Sequence, residues 1–150
     1  MAEFVKNEIQ VVQPNQPVIL DTAIGCNRGY IFHRNESGIL TLRGAVANNS
    51  CFARYQVTFN GNIAVPTGYT AGSIAVAVSQ SGEPILTSRA IVTPAAVDEY
   101  FNVTSTAIIT VPRGCCFDIS VENVSEPSTP TASAPAINVQ NANVVVSRIA

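Results

Sequence analysis

Short extended segments follow one another from residue 9 to the end of the chain, and they predict an all-β protein: a jelly-roll sandwich of about nine or ten antiparallel strands. Turn residues recur at the regular spacing of a sandwich or barrel. Residues 51–59 alternate, with Phe52, Arg54, Gln56 and Thr58 opposing Ala53, Tyr55, Val57 and Phe59, which is the period of a strand with one buried face. The last stretch, 137–150, reads as a strand again, so the chain is expected to close inside a sheet. An immunoglobulin-like sandwich ranks second, because the chain has no Trp and no Cys…Trp…Cys pattern.

Residues 1–8 read as a polar arm, and 1–16 are assigned to an N-terminal arm ahead of one jelly-roll domain at 17–150. Segments 9–13 and 17–24 are short and extended, with Pro14 and Pro17 forcing breaks or an edge position. A turn at 27–29 leads into strand 30–34, and Asn35-Glu-Ser-Gly38 closes a hairpin into 39–43. Asn48-Asn-Ser50 turns into 51–59, and loops follow at 60–61 and 66–72. Segment 73–79 puts Ile74, Val76 and Val78 on one face and Ala75 and Ala77 on the other. Ser81-Gly-Glu-Pro84 then turns it into 85–92. Thr93 as N-cap, with Pro94 at the first helical position, predicts a short helical turn over 93–99. Residues 100–111 form a long β-branched strand, and 115–122 form the penultimate one. The stretch 125–136 has three prolines and no bulky apolar residue, which predicts an exposed loop.

At 150 residues the chain fits one domain that buries roughly 70% of its unfolded surface. Its apolar share of 47% is ordinary, but charged residues make up only 12%, about half the usual ~25%. Either Asn, Gln, Ser and Thr supply the polar surface, or identical neighbours cover much of it, where charge is costly to desolvate. The second account is favoured because segments 73–79 and 142–149 look apolar on both faces. A net charge of −2, one lysine (Lys6) and singly scattered arginines give no footing for nucleic acid. No basic n-region with an apolar h-region opens the chain, and no run approaches the ~18–20 apolar residues of a membrane span. A soluble chain made in a cytoplasm, without a membrane partner, is expected.

The search for chemistry comes back empty. Cys26, Cys51, Cys115 and Cys116 form no CxxC pair, and a single His cannot complete a zinc pattern. Free buried thiols are expected, with a Cys26–Cys51 bridge as the alternative. His33 falls in a predicted strand, and no Gly-x-Ser-x-Gly elbow offers a nucleophile. Asp98 and Glu99 are loop neighbours rather than the facing acids that glycoside hydrolysis needs. Asp118 alternates with Cys116, Ser120 and Glu122 and reads as outward polar surface. The sequons at Asn35, Asn48, Asn102 and Asn123 read as chance in a cytoplasmic chain. No catalytic residue, metal site or cofactor is expected, and an enzyme of cupin type would need several histidines. Tyr69, within Pro66-Thr-Gly-Tyr-Thr-Ala-Gly72, is the one loop aromatic and the candidate glycan contact, since apolar sugar faces stack on aromatic rings.

The run Val111-Pro-Arg-Gly-Cys-Cys-Phe-Asp-Ile-Ser-Val-Glu-Asn123, a variable loop and the closing Asn141-Ala-Asn-Val-Val-Val-Ser-Arg-Ile149 carry a resemblance. They resemble the trimeric jelly-roll domains of the tumour-necrosis-factor and complement-globular-head superfamily. That resemblance implies a Gly-led strand pairing near a C-terminal strand in the core of a homotrimer. The chain departs from superfamily members that carry a collagen or coiled-coil stalk.

The whole chain also resembles short, Cys-containing β-proteins encoded among structural genes of tailed phages and prophages of gut Gram-positive bacteria. The likeness is carried from Cys51-Phe-Ala-Arg-Tyr-Gln-Val-Thr-Phe-Asn-Gly61 through Ala90-Ile-Val-Thr-Pro-Ala-Ala-Val97. It implies a non-enzymatic virion protein, assembled in the host cytoplasm, that decorates the capsid surface and bridges copies of the major capsid protein. Phe4, Val5, Ile9 and Val11 are then the candidate capsid contacts, and Ile74, Val76, Val144, Val146 and Ile149 the candidate trimer interface. On this reading, removal of residues 1–12 leaves a folded trimer that no longer binds capsid. The alternatives are a receptor-binding or baseplate module contacting host glycans through 66–72, and a bacterial surface-layer or spore-coat trimer.

Overall fold

In the computed structural model, which describes residues 1–24, 29–47 and 49–150, two antiparallel sheets face each other across one apolar core. The first half of the chain supplies β1 (Ala2–Lys6), β2 (Gln10–Val12), β3 (Thr22–Ile24), β4 (Ile31–His33), β5 (Leu40–Arg43) and β6 (Phe52–Ala64). The second half supplies β7 (Ile74–Gln80), β8 (Glu83–Pro84), β9 (Ala90–Val92), β10 (Phe101–Pro112), β11 (Cys116–Asn123) and β12 (Ile137–Arg148). The first sheet runs β10-β6-β12-β1-β3, with β2 also beside β12; the second runs β4-β5-β11-β7-β8, with β9 also beside β7. β1 and β2 share one place, and so do β8 and β9, so the segments occupy five places in each sheet. Most neighbours are far apart in sequence, as in a jelly roll. The expected turn around Asn27 and Arg28, the Cys26 bridge and Asn48 lie outside the described residues.

β6 keeps the predicted alternation. Ala53, Tyr55, Val57 and Phe59 are fully buried, and the register with β10 runs unbroken from Phe52↔Pro112 to Ile63↔Phe101. The second sheet answers with Leu40, Leu42, Val76, Val78, Ile119 and Val121. Each such side chain, once buried, contributes about 1.5–3 kcal/mol. Side-chain contacts also lock the layers together. The Tyr55 hydroxyl crosses from the first sheet and donates to the Arg43 carbonyl at 2.6 Å. At the sandwich edge the Phe4 ring lies 4.8 Å from that of His33, whose Nε2 donates to the Ser37 carbonyl at 2.8 Å. Burial pushes the Tyr55 phenol above its ordinary 10.0, with the Arg148 guanidinium pulling the other way.

Several expectations are corrected. Residues 1–16 are not a free arm: β1 pairs with β12 on one side and β3 on the other, and Phe4 is fully buried. Its main partner lies at the opposite end of the chain, so nothing local marks it as a strand. Four of the five residues assigned to the trimer interface, Ile74, Val76, Val144 and Val146, belong to the core of a single chain. In β12 the register sends Val144 and Val146 inward and leaves Asn143, Val145 and Ser147 outward, and a one-residue misreading turns a whole strand over. Only Ile149 is exposed. β7 is apolar on both faces because its own chain buries both.

The segment 93–99 is a turn, not a helix: Asp98 takes a φ of 57°, and the Glu99 carboxylate accepts the amides of Ala95 and Ala96. Among the described residues the helical element is the 3-10 turn Leu86–Ser88. Cys51, Cys115 and Cys116 are free but exposed rather than buried, because they sit at the ends of β6 and β11.

Candidate functional site

Two loops that the sequence read separately meet over the second sheet. Loop 66–72 is held at its base by Thr67, whose hydroxyl donates to the Asp98 carboxylate at 2.5 Å, and by the Asp98 amide on the Val65 carbonyl at 2.8 Å. At loop 124–136 a single buried polar side chain ties both ends. Asn123, at the end of β11, donates to the carbonyls of Val12 (3.0 Å) and Pro135 (2.9 Å), and its Oδ1 accepts the Ser125 amide at 3.0 Å. Ser125 then extends the ladder of β7, its hydroxyl accepting the Ala75 amide at 2.9 Å. Sequence reasoning had dismissed Asn123 as part of a chance sequon. The available signal was its parity with Ile119 and Val121, which makes it core-facing.

Between the loops lies a cleft of about 480 Å³. Its floor is Ile74 and Ala75 of β7 with Ile91 of β9; one wall is 68–73 and the other comes from 124–135. Arg89 and Glu126 meet across it at 2.8 Å, with side-chain exposures of 29% and 76%. They are the charged residues of the lining. Tyr69 (42% exposed) and Ile91 (54%) bring apolar area to the same space. Of the residues singled out from sequence, Tyr69 and Ile74 fall here, Ile74 as floor.

The outer face of the first sheet is the second feature. β1, β6, β10 and β12 send out only two charged side chains, Glu3 and Arg54. Glu3 accepts a hydrogen bond from Asn143, and the Arg54 guanidinium lies 4.7 Å over the Phe52 ring. Elsewhere carboxamides and hydroxyls bond one another. Asn102 donates to Asn60 (2.9 Å) and Asn62 (3.1 Å), Asn60 to Thr104 (3.0 Å), and Asn62 to Asn141 (3.2 Å). Val11, Ile24 and Ile108 add exposed apolar side chains, and Val5 and Val145 lie half-buried between them.

The remaining candidates stand apart from both features. Asp118 accepts from the Thr41 hydroxyl at 2.8 Å, whereas Ser120 and Glu122, expected beside it in solvent, are buried. Among the described residues no group of three His, Cys, Asp or Glu side chains is placed to hold a metal ion. Among them, too, no helix is long and apolar enough to cross a membrane.

No protein-family model and no curated protein matches the chain. Solved structures do. The globular domain of zebrafish complement 1qA protein is 13% identical over 99% of this chain and 97% of its own, with a TM-score of 0.58. The EclA C-terminal domain, a sugar-binding protein, is 15% identical over 95% of this chain and 79% of its own, with a TM-score of 0.41. The CBM22-1 xylan-binding domain of Paenibacillus barcinonensis Xyn10C is 9% identical over 99% and 87%, with a TM-score of 0.36. The first of these shows the fold: the chain is an all-β domain whose two antiparallel sheets match a jelly-roll sandwich. The other two superpose too loosely to add to that.

Proposed function

We propose that the protein is a non-enzymatic structural module, a homotrimer whose subunits meet across the outer face of the first sheet and which decorates the capsid of a tailed phage. The outer face itself carries this reading. It is wide and regular, has two charged side chains, and ties a cluster of its carboxamides to one another, so covering it strands little charge. Exposed apolar groups rimmed by polar ones mark protein interfaces, and charge is depleted at their centres. The trimeric heads that the second half resembles supply the count of three, and the phage-encoded β-proteins that the whole chain resembles supply the setting. Of the four proposed capsid contacts, Phe4 is consumed by the core and Val5 lies within β1. Val11 faces out on the first sheet, where the neighbouring subunit would cover it, so Ile9, 54% exposed, remains as the contact.

The test is co-sedimentation with purified capsids of the phage that encodes the chain. The wild type is expected to pellet with the capsids, and the Ile9→Asp variant to stay folded in the supernatant. Wild-type protein that ignores the capsids removes the virion role. A second reading, a module contacting host glycans through Tyr69, is favoured by the cleft in which that ring stands.

A further inference from the structure

We infer that the cleft between loops 66–72 and 124–136 is a binding site for a neutral saccharide, oriented by the Arg89–Glu126 pair and stacked on Tyr69. This rests on the second reading above and gives it a site and a ligand class. The size is right: about 480 Å³ falls within the ~300–1,000 Å³ of small-molecule sites.

Electrostatics select the class. The two charged lining groups sit 2.8 Å apart and cancel, so an anion would meet Glu126 and a cation would meet Arg89. A neutral polyol satisfies both, its hydroxyls donating to the carboxylate and accepting from the guanidinium. Glu126 keeps 76% of its side chain open, so its acceptor sites are available to a ligand. Tyr69 and Ile91 present apolar area suited to the CH face of a pyranose, and the hydroxyls of Thr70, Ser73 and Ser133 add neutral donors and acceptors.

Both walls are already fixed, one by Thr67–Asp98 and the other by Asn123 and Ser125, so binding avoids most of the cost of ordering loops. The lining contains one carboxylate, whereas most glycoside hydrolysis pairs two, which fits binding better than cleavage. It belongs to the second sheet and stays open when the face of the first is covered.

The experiment applies the full chain to an array of neutral, sialylated and sulfated oligosaccharides, then titrates the strongest hit. Expected is a neutral glycan whose affinity falls about tenfold or more, ~1.4 kcal/mol, in Tyr69→Ala and in Glu126→Gln. Leu86→Ala, an exposed residue outside the cleft, is expected to bind as the wild type does. Unchanged melting temperatures separate lost contact from lost fold. Hits confined to sialylated or sulfated glycans overturn the neutral class and leave glycan contact standing. No hit at all overturns both, and a neutral hit indifferent to both cleft variants overturns the site.

Discussion

The two sheets are built by different rules. In the first, β6 and β10 pair residue for residue from Phe52 to Ile63, and β12 flanks them with one irregularity between Gln140 and Asn143. In the second, side chains finish the ladder where the backbone leaves it. Between β8 and β9 the Val78 amide donates to the Ser88 hydroxyl at 3.0 Å, and that hydroxyl lies 2.6 Å from the Ile85 carbonyl that accepts from it. At the other end Ser125 does the same for Ala75. Unbroken strands put outward side chains on a flat grid, which a neighbouring subunit can cover. Broken strands leave steps, and the cleft lies over one of them.

The contrast can be broken most severely at its seam. Phe4→Ala empties a fully buried ring position shared by β1 and His33, and should cost about 3–5 kcal/mol in urea unfolding. A loss below about 1 kcal/mol would return residues 1–8 to the loose arm that their polarity suggests. By the same logic, deletion of residues 1–12 is expected to unfold the domain rather than merely undock it.

Residues 1–16 also show where sequence stops being informative. The jelly roll was legible because alternation at 51–59 and turn spacing are local signals. The membership of β1 was not, since Phe4 lies in a short stretch interrupted by Glu3 and Lys6 and its partner Val144 is at the other end of the chain. Tyr69 was legible as a loop aromatic, but the wall opposite it was not. Asn123, Ser125 and Arg89 gain their meaning only when β11, β7 and β9 lie side by side.

Asn123→Ala sharpens the comparison next. It strips partners from a buried carbonyl, a half-buried one and a buried amide, with an expected cost of roughly 2–4 kcal/mol. Hydrogen exchange should rise in 124–136 and leave β6 and β10 protected; a uniform rise would mean that the loop is not an independent attachment.

Tyr55→Phe removes one hydrogen bond between the layers, for about 1–2 kcal/mol. It also changes the pH dependence. Because the folded phenol titrates above its unfolded 10.0, its contribution is complete below that pH and is lost as pH climbs through the raised value. Wild-type stability should therefore fall more steeply above pH 10 than that of Tyr55→Phe. Parallel curves would contradict the burial of that hydroxyl. The smallest effect belongs to Arg89→Gln, below about 1 kcal/mol and fading in high salt, since the ion pair it breaks is well solvated.

The outer face of the first sheet as a subunit interface is tested most directly by solution mass from light scattering, on the wild type and on Ile108→Glu. Ile108 is 60% exposed at the middle of β10, so the variant places a charge on the face without touching the core. The account predicts a wild-type mass near three times 15.8 kDa and a folded Ile108→Glu monomer. A wild type that stays at 15.8 kDa at every concentration, or a trimer indifferent to Ile108→Glu, would contradict it.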